Sequence, residues 1–253
     1  MDRLGAAVEV DGLIHRFPGG RIALDRVSFS ISPGEWVVIA GRNGSGKTTL
    51  IKHFNGLLTP SGGSVRVDGR EVREDTGMAR RRVGLVFQDT DTQILGETVA
   101  DDVAFGPENL GLSRDEVRQR VSSALEALGL AGFADDPPHL LSGGEKRRLA
   151  IAGVLAMSPG AICLDEPFSN LDLPGVRQVL SILMTLHRAG HTLIVVTHEL
   201  DKILPHARRV LLMDQGRLVD DGPPETVIPR VEAHGVRQPD AYRMGGALRS
   251  WLD

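Results

Sequence analysis

The chain alternates short, almost wholly apolar runs with longer stretches in which apolar residues recur at helical spacing. Four such runs lie at 37–40, 83–87, 161–164 and 192–196, and a glycine or a polar residue follows each. Uninterrupted apolar strands are typical of a parallel sheet that is covered on both faces by helices. We therefore predict an α/β fold with a mostly parallel sheet, whose ligands lie beyond the carboxyl ends of its strands.

The region before the first apolar run has a different pattern. Residues 8–31 alternate apolar and polar positions around the turn sequence FPGG, and residues 64–68 show the same alternation. A period of two predicts strands that are buried on one face only. We expect these segments to form an N-terminal antiparallel β-subdomain.

Residues at about 90–158 have helical spacing and predict an inserted helical subdomain. The sequence from Ser113 to Glu116 is a capping box, and the helix that follows should stop at Gly129. A second helix is expected from about Gly144 to Met157.

The last part of the chain begins with a predicted hairpin. Val210 to Asp220 should turn back at Gln215–Gly216, which ends a main domain of residues 1–225. Residues 226–253 are expected to form a helical tail. Within it, a helix from Tyr242 to Asp253 would pack on the chain itself or on a second copy.

Composition narrows the class of protein. The 253 residues are 41% hydrophobic, enough for a substantial core, and the formal net charge of −4 provides no general attraction to nucleic acid. The single Cys163 cannot form an internal disulfide, which fits a reducing compartment. No run approaches the roughly 20 apolar residues of a membrane helix, so we expect a soluble chain.

The sequence GRNGSGKT matches the phosphate-binding pattern G-x-x-x-x-G-K-[ST] without a mismatch. Its glycines allow successive amides to point at phosphate oxygens, and the following helix adds the positive end of its dipole. Lys47 should reach the β- and γ-phosphates, and the Thr48 hydroxyl should bind Mg²⁺. The candidate nucleotide-binding residues here are Gly41, Arg42, Asn43, Gly44, Ser45, Gly46, Lys47, Thr48 and Thr49.

Other candidate catalytic residues follow the remaining apolar runs. Asp165 could hold Mg²⁺, and the adjacent Glu166 could orient and deprotonate an attacking water. His198 could contact the γ-phosphate, and Gln88 could touch Mg²⁺ or the water. Taken alone, each has a plainer interpretation: a solvated strand end, a structural histidine or an unremarkable glutamine. Convergence on the phosphate loop favours the catalytic interpretation.

A second anion-binding element lies in LSGGEKRRLA, from Leu141 to Ala150. Ser142 could simply cap a helix, but the turn Ser142–Gly143–Gly144 before Glu145 also presents free amides and a hydroxyl to an anion. The helical insert should hold this turn away from its own phosphate loop. A second subunit related by two-fold symmetry could supply it instead.

Together these residues resemble the ATP-binding subunit of ABC transporters, over about Val8 to Glu225. The resemblance implies the ABC ATPase fold, a P-loop NTPase core with ATP and Mg²⁺ as ligands. It also makes 41–48 the Walker A loop and 141–145 the signature. Its remaining assignments are the Q-loop Gln88, the Walker B pair Asp165 and Glu166, the D-loop with Asp172, the switch histidine His198 and the adenine-stacking Phe17.

A narrower resemblance is to the ATPases of energy-coupling-factor importers, which take up vitamins or metal ions such as cobalt and nickel. It rests on residues 86–112 and 141–157. Departures include Asp89-Thr90-Asp91 after Gln88 in place of Asn-Pro-Asp, Phe168 for a threonine and Asn170 for an alanine. The resemblance implies a cytoplasmic-face ATPase dimer, of two copies or of paralogues, with an integral coupling subunit and a substrate-binding membrane subunit.

An acidic segment bears on this docking. No lysine or arginine lies between Arg82 and Arg114, whereas six carboxylates do: Asp89, Asp91, Glu97, Asp101, Asp102 and Glu108. This is either a solvated face or an acidic groove for basic helices of a membrane partner.

Three alternative classes of protein share the motifs of this chain to different extents. The ATPase of an ordinary ABC importer or exporter would share all the motifs. A soluble ABC machine for DNA repair or translation usually needs long insertions, for which the roughly 90 residues between loop and signature leave no room. A P-loop kinase would have no use for residues 141–145.

Overall fold

The computed structural model describes residues 4–252, in which strands and helices alternate as predicted. The strands are β1 (Val8–Arg16), β2 (Ile22–Ile31), β3 (Trp36–Ala40), β4 (Gly62–Val67), β5 (Arg70–Glu71), β6 (Val83–Val86), β7 (Ala161–Asp165), β8 (Thr192–Thr197), β9 (Arg209–Asp214) and β10 (Arg217–Gly222). The helices are α1 (Lys47–Phe54), α2 (Thr76–Arg82), α3 (Val99–Asn109), α4 (Arg114–Ala127), α5 (Gly143–Ala156), α6 (Leu173–Arg188), α7 (Pro224–Val227) and α8 (Asp240–Arg243). Short 3₁₀ turns lie at Thr90–Thr92, Ala131–Phe133, Pro138–Leu140 and Ile228–His234.

The central sheet has six strands in the order β10-β9-β3-β8-β7-β6. All its pairings are parallel except that of β10 with β9. Every residue of β3, β7 and β8 is buried. Alternate residues face two separate cores: Val38 packs with the helices on one face, and Val37 packs with the antiparallel sheet on the other. The predicted mostly parallel sheet is confirmed, since only a sheet covered on both faces needs continuous apolar strands.

The N-terminal β-subdomain is also as predicted. Strands β2, β1, β4 and β5 form a separate antiparallel sheet in that order. Val8, Val10 and Leu13 of β1 are buried in the core that also contains Leu50 and Phe54 of α1. This packing places the β1–β2 turn beside the helix that follows the phosphate loop.

The insert contains three helices, one more than the two individually predicted. The capping box of Ser113 and Glu116 starts α4, as expected from the sequence. Helix α3 was not predicted; it begins with its own capping box of Thr98 and Asp101 and contains Pro107 near its end. A proline so close to the carboxyl end of a helix masks the helical pattern in the sequence but breaks few hydrogen bonds.

The C-terminal part agrees with one expectation and differs from another. The hairpin of β9 and β10 turns at Gln215 and Gly216, whose φ angles of 46° and 79° are those of a type I′ turn. The expected helix from Tyr242 is absent up to Leu252, because α8 covers only Asp240–Arg243 and Gly245–Gly246 follow it. Residue 253 lies outside the described residues. The tail packs instead on its own chain, through Tyr242, Leu248 and Trp251.

Within residues 4–252, no helix combines the length and the apolar character that crossing a bilayer requires.

Candidate functional site

The loop at 41–48 connects the carboxyl end of β3 to the start of α1. Gly46, the residue before α1, has φ of 103°, and a β-carbon there would lie 2.7 Å from the carbonyl oxygen of Ala23. Only glycine fits both constraints. No side chain caps α1, so its first amides are free for an anion. The Ser45 hydroxyl is likewise buried without a hydrogen-bond partner.

The Lys47 ammonium lies inside this loop. Its Nζ donates to the carbonyl oxygens of Gly41 at 2.6 Å and Arg42 at 3.1 Å. Burial lowers the pKa of Lys47, while the nearby carboxylates of Glu166 and Asp165 oppose that shift. A buried cation held by backbone carbonyls is well placed to bind phosphate oxygens.

Thr48 and Asp165 come together from distant parts of the sequence. Thr48 lies in the first turn of α1 and Asp165 ends β7, and the Thr48 hydroxyl donates to Asp165 Oδ2 at 2.6 Å. Burial raises the pKa of Asp165, and the hydrogen bond from Thr48 acts in the opposite direction. A hydroxyl beside a carboxylate is a hard-oxygen donor set that suits Mg²⁺.

The Glu166 carboxylate is fixed by the end of the neighbouring strand β8. Its Oε2 accepts from the Thr197 hydroxyl at 2.8 Å, and its Oε1 accepts from the His198 backbone amide at 3.1 Å. His198 Nδ1 lies 2.7 Å from the same Oε1. Glu166 itself has φ of 46°, a left-handed conformation that is uncommon for a residue other than glycine.

Thr197 was not predicted from the sequence as a functional residue. The only signal was a hydroxyl residue between an apolar strand and a histidine.

Gln88 lies where the central sheet meets the helical insert, and two side chains fix its segment. Arg147 of α5, which is almost fully buried, donates from Nη1 to the Phe87 carbonyl at 2.7 Å and from Nη2 to the Gln88 carbonyl at 2.8 Å. Burial lowers the pKa of Arg147. On the other side of this segment, Gln93 Oε1 accepts a hydrogen bond from the Phe87 backbone amide at 3.0 Å. Arg147 was not predicted from the sequence to have a role in the site.

Lys47, Thr48, Gln88, Asp165 and Glu166 line one cleft of about 240 Å³, and His198 lies outside this lining, behind Glu166. On the side of the β1–β2 turn the cleft is bounded by Phe17, whose ring faces the Arg21 guanidinium at 5.1 Å. The lining residues are Phe17, Arg21, Ile22, Ala23, Asn43, Gly44, Gly46, Lys47, Thr48, Thr49, Gln88, Asp165 and Glu166. Most of the predicted nucleotide-binding and catalytic residues therefore meet in one place.

The signature residues do not line this cleft. Ser142 caps α5, and its hydroxyl and amide both bind Glu145 Oε2 at 2.7 Å. Gly143 and Gly144 form the first turn of the same helix. Asp172 caps α6 by accepting from the Gly175 amide at 2.9 Å. These four signature residues and Asp172 thus form a second group, apart from the first within the described chain.

Comparison with known proteins identifies the class. Residues 24–169 match the family model described as ABC transporter, and the chain belongs to this family. The resemblance predicted from the motifs is thereby confirmed.

Individual relatives are more specific. The chain is 45% identical to an energy-coupling factor transporter ATP-binding protein, EcfA, of Methanocaldococcus jannaschii, over 89% of this chain and 82% of that protein. It is 48% identical to a putative ABC transporter ATP-binding protein of Halobacterium salinarum, over 92% of this chain and all of that one.

Among solved structures, cbiO1 of Clostridium perfringens, described as part of the ABC transporter complex cbiONQ, superimposes with a TM-score of 0.80 at 37% identity. That match covers 92% of this chain and 93% of cbiO1. The predicted ABC ATPase fold is confirmed.

Proposed function

We propose that this chain is the ATP-hydrolysing subunit of a membrane importer of the energy-coupling-factor type. The observation that carries the proposal is the placement of Glu166. Its carboxylate is fixed by Thr197 and His198 beside a phosphate loop whose lysine and helix amides suit a triphosphate. The kinship with EcfA and cbiO1 supports the importer type.

In this proposal each group has one role in hydrolysis. The amides of the 41–48 loop and Lys47 bind the β- and γ-phosphates, and Phe17 stacks on adenine. Glu166 orients and deprotonates the attacking water, while His198 holds the γ-phosphate side of the site. Bound Mg²⁺ would neutralise charge on the phosphate oxygens, and Thr48, Asp165 and Gln88 would hold it.

The second group of residues supports a dimer. Ser142, Gly143, Gly144 and Glu145, together with Asp172, would complete the site of a second copy or of a paralogous ATPase. Leu140 and Leu173 are exposed apolar side chains next to the signature and to Asp172, respectively. Association through these elements would remove the two side chains from water.

A groove of about 660 Å³ between the central sheet and the helical insert is the proposed docking place for an integral coupling subunit. Its apolar lining includes Leu57, Phe105 and the 66% exposed Leu95. The carboxylates of the acidic segment are less available for docking than the sequence alone indicates. Asp91 pairs with Lys146 at 2.7 Å, and Asp102 accepts from the amides of Leu95 and Gly96. Apolar contact therefore supports docking better than charge does. Such docking would place the chain at the cytoplasmic face of the membrane.

The test of the proposal is Glu166→Gln. This change keeps the size of the side chain but removes the base, so ATP should still bind while turnover falls by about a thousandfold. Binding is measured by equilibrium titration with labelled ATP and turnover by phosphate release. Unchanged turnover in the variant would refute the role of Glu166.

The importer type is tested by co-purification from the native membrane. A small substrate-binding membrane protein in the complex, carrying a vitamin or a cobalt or nickel ion, supports the energy-coupling-factor type. A soluble receptor in its place would support an ordinary ABC importer, the alternative class.

A further inference from the structure

The C-terminal residues 240–252, which we call the tail segment, lie against the part of the chain that follows His198. The Asp240 amide donates to Asp201 Oδ1 at 2.8 Å. The Ser250 hydroxyl lies 3.1 Å from His206 Nε2. The Lys202 ammonium faces the Trp251 ring at 5.7 Å. The tail segment thus contacts both ends of residues 201–206 and a residue between them.

Residues 199–206 have little regular structure of their own to keep them in place. They form a succession of turns between β8 and β9. Their internal backbone support is the hydrogen bonds from Ile203 and Leu204 to the carbonyl of Leu200 and from His206 to the carbonyl of Ile203. A segment of this kind relies on tertiary contacts for its position. On its inner side Leu200, Ile203 and Leu204 are buried in the core, and on its outer side lies the tail segment.

Trp251 has the central place among these contacts. Its ring packs against the core and lies over Lys202, whose ammonium also pairs with Glu199 at 2.5 Å. Glu199 directly follows His198, and its backbone amide donates to the Thr197 hydroxyl, the group that holds Glu166. An unbroken series of contacts therefore leads from Trp251 to the catalytic carboxylate.

The tail segment also reaches the helix that Asp172 caps. The backbone carbonyl of Trp251 accepts from Arg177 Nε of α6 at 2.7 Å. The same residue thereby links the segment after His198 with the helix after Asp172, two elements that must be positioned together for a complete ATP site.

We propose that the tail segment is a brace that positions His198 and Glu166, and that Trp251 is a positioning residue for ATP hydrolysis. This inference rests on the proposed function. The tail segment would affect ATP turnover in its own chain, whether or not it also contributes to dimer formation.

The test compares Trp251→Ala and Trp251→Phe in the full chain, with Met244→Ala as the matched control. Met244 belongs to the same tail segment but is 85% exposed. Removal of the ring should lower kcat by about tenfold while the KM for ATP changes by less than about twofold, because the phosphate loop is untouched. Phenylalanine, which retains an aromatic ring over Lys202, should keep kcat within about threefold of the wild type. The control should match the wild type.

Amide hydrogen exchange supplies a readout that does not depend on activity. In Trp251→Ala, amides of residues 199–206 should exchange about ten times faster, and those of β8 should be unchanged. Equal kcat and equal exchange in wild type and Trp251→Ala would overturn the inference. A parallel loss in kcat and in ATP affinity would also overturn it, since that indicates general damage to the fold. If the wild type itself hydrolyses no ATP, the proposed function fails, and exchange at 199–206 still decides whether the tail braces this segment.

Discussion

Arg147 and Gln88 are joined by a hydrogen bond of 2.8 Å from the guanidinium Nη2 to the backbone carbonyl oxygen. Arg147 belongs to α5, which is capped by the signature residue Ser142, and Gln88 lines the proposed ATP cleft. The bond therefore connects the helix that carries the surface proposed for a second subunit with the proposed ATP site of the same chain.

This connection predicts the effect of Arg147→Met. The variant leaves the partly buried carbonyls of Phe87 and Gln88 without their donors, so the free energy of unfolding should fall by about 2 kcal/mol. Arg147→Lys keeps the charge but cannot donate to both carbonyls in a fork, and it should lose less. Chemical denaturation measures both, with the exposed Arg118→Met as control. Wild-type stability in Arg147→Met would show that the two hydrogen bonds from Arg147 do not stabilise the fold.

Substitution of Thr197 should change the rate of ATP hydrolysis without changing the affinity for ATP. Thr197→Val removes the hydroxyl that donates to Glu166 Oε2 but keeps the branched shape that suits β8. We expect kcat for ATP to fall by about tenfold, because the carboxylate gains freedom, and the dissociation constant for ATP to stay within about twofold. Thr197→Ser retains the donor and should restore most of kcat. Equal rates for valine and threonine would show that the bond is dispensable.

If two subunits share each ATP site, as proposed, two inactive variants should restore activity when they are mixed. Ser142→Arg should obstruct the partner's nucleotide, and Lys47→Ala should disable the chain's own loop, so each variant alone is inactive. In a mixed dimer one site pairs the intact loop of the first variant with the intact signature of the second. About one active site per mixed dimer should return. Phosphate release from the mixture measures it, and a mixture as inactive as its components would argue against sharing.

The fold and most of the cleft could be predicted because their signals are local. The phosphate loop is contiguous in sequence, and its glycines, lysine and threonine each have a position fixed by the motif. The strands were predictable because β3, β7 and β8 are buried along their whole length. Asp165 and Glu166 were placed by the rule that parallel strands bring their carboxyl ends to one edge.

The remaining residues act through contacts that sequence spacing does not encode. Arg147 lies between two other basic residues of α5, Lys146 and Arg148, and only the approach of α5 to Phe87 distinguishes it. Thr197 depends on the pairing of β7 with β8. The tail differs from the expected helix because Trp251 and Leu248 obtain their burial from the core of the same chain.

A buried histidine pair predicts the pH dependence of stability. His53 of α1 is fully buried, and its ring centroid lies 4.9 Å from that of His15 in β1. Burial, together with repulsion from His15, lowers the pKa of His53 from 6.5 to about 4. The unfolded chain binds this proton below pH 6.5 and the folded chain does so only near pH 4, so stability must fall as the pH is lowered through that window. The loss at pH 4 should be about 3 kcal/mol.

His53→Leu should remove this part of the pH dependence, whereas the exposed His139→Leu should leave it in place. Urea denaturation at pH 7 and at pH 4 measures the difference for each variant. If the wild type and His53→Leu lose stability equally, the buried ring is not its source.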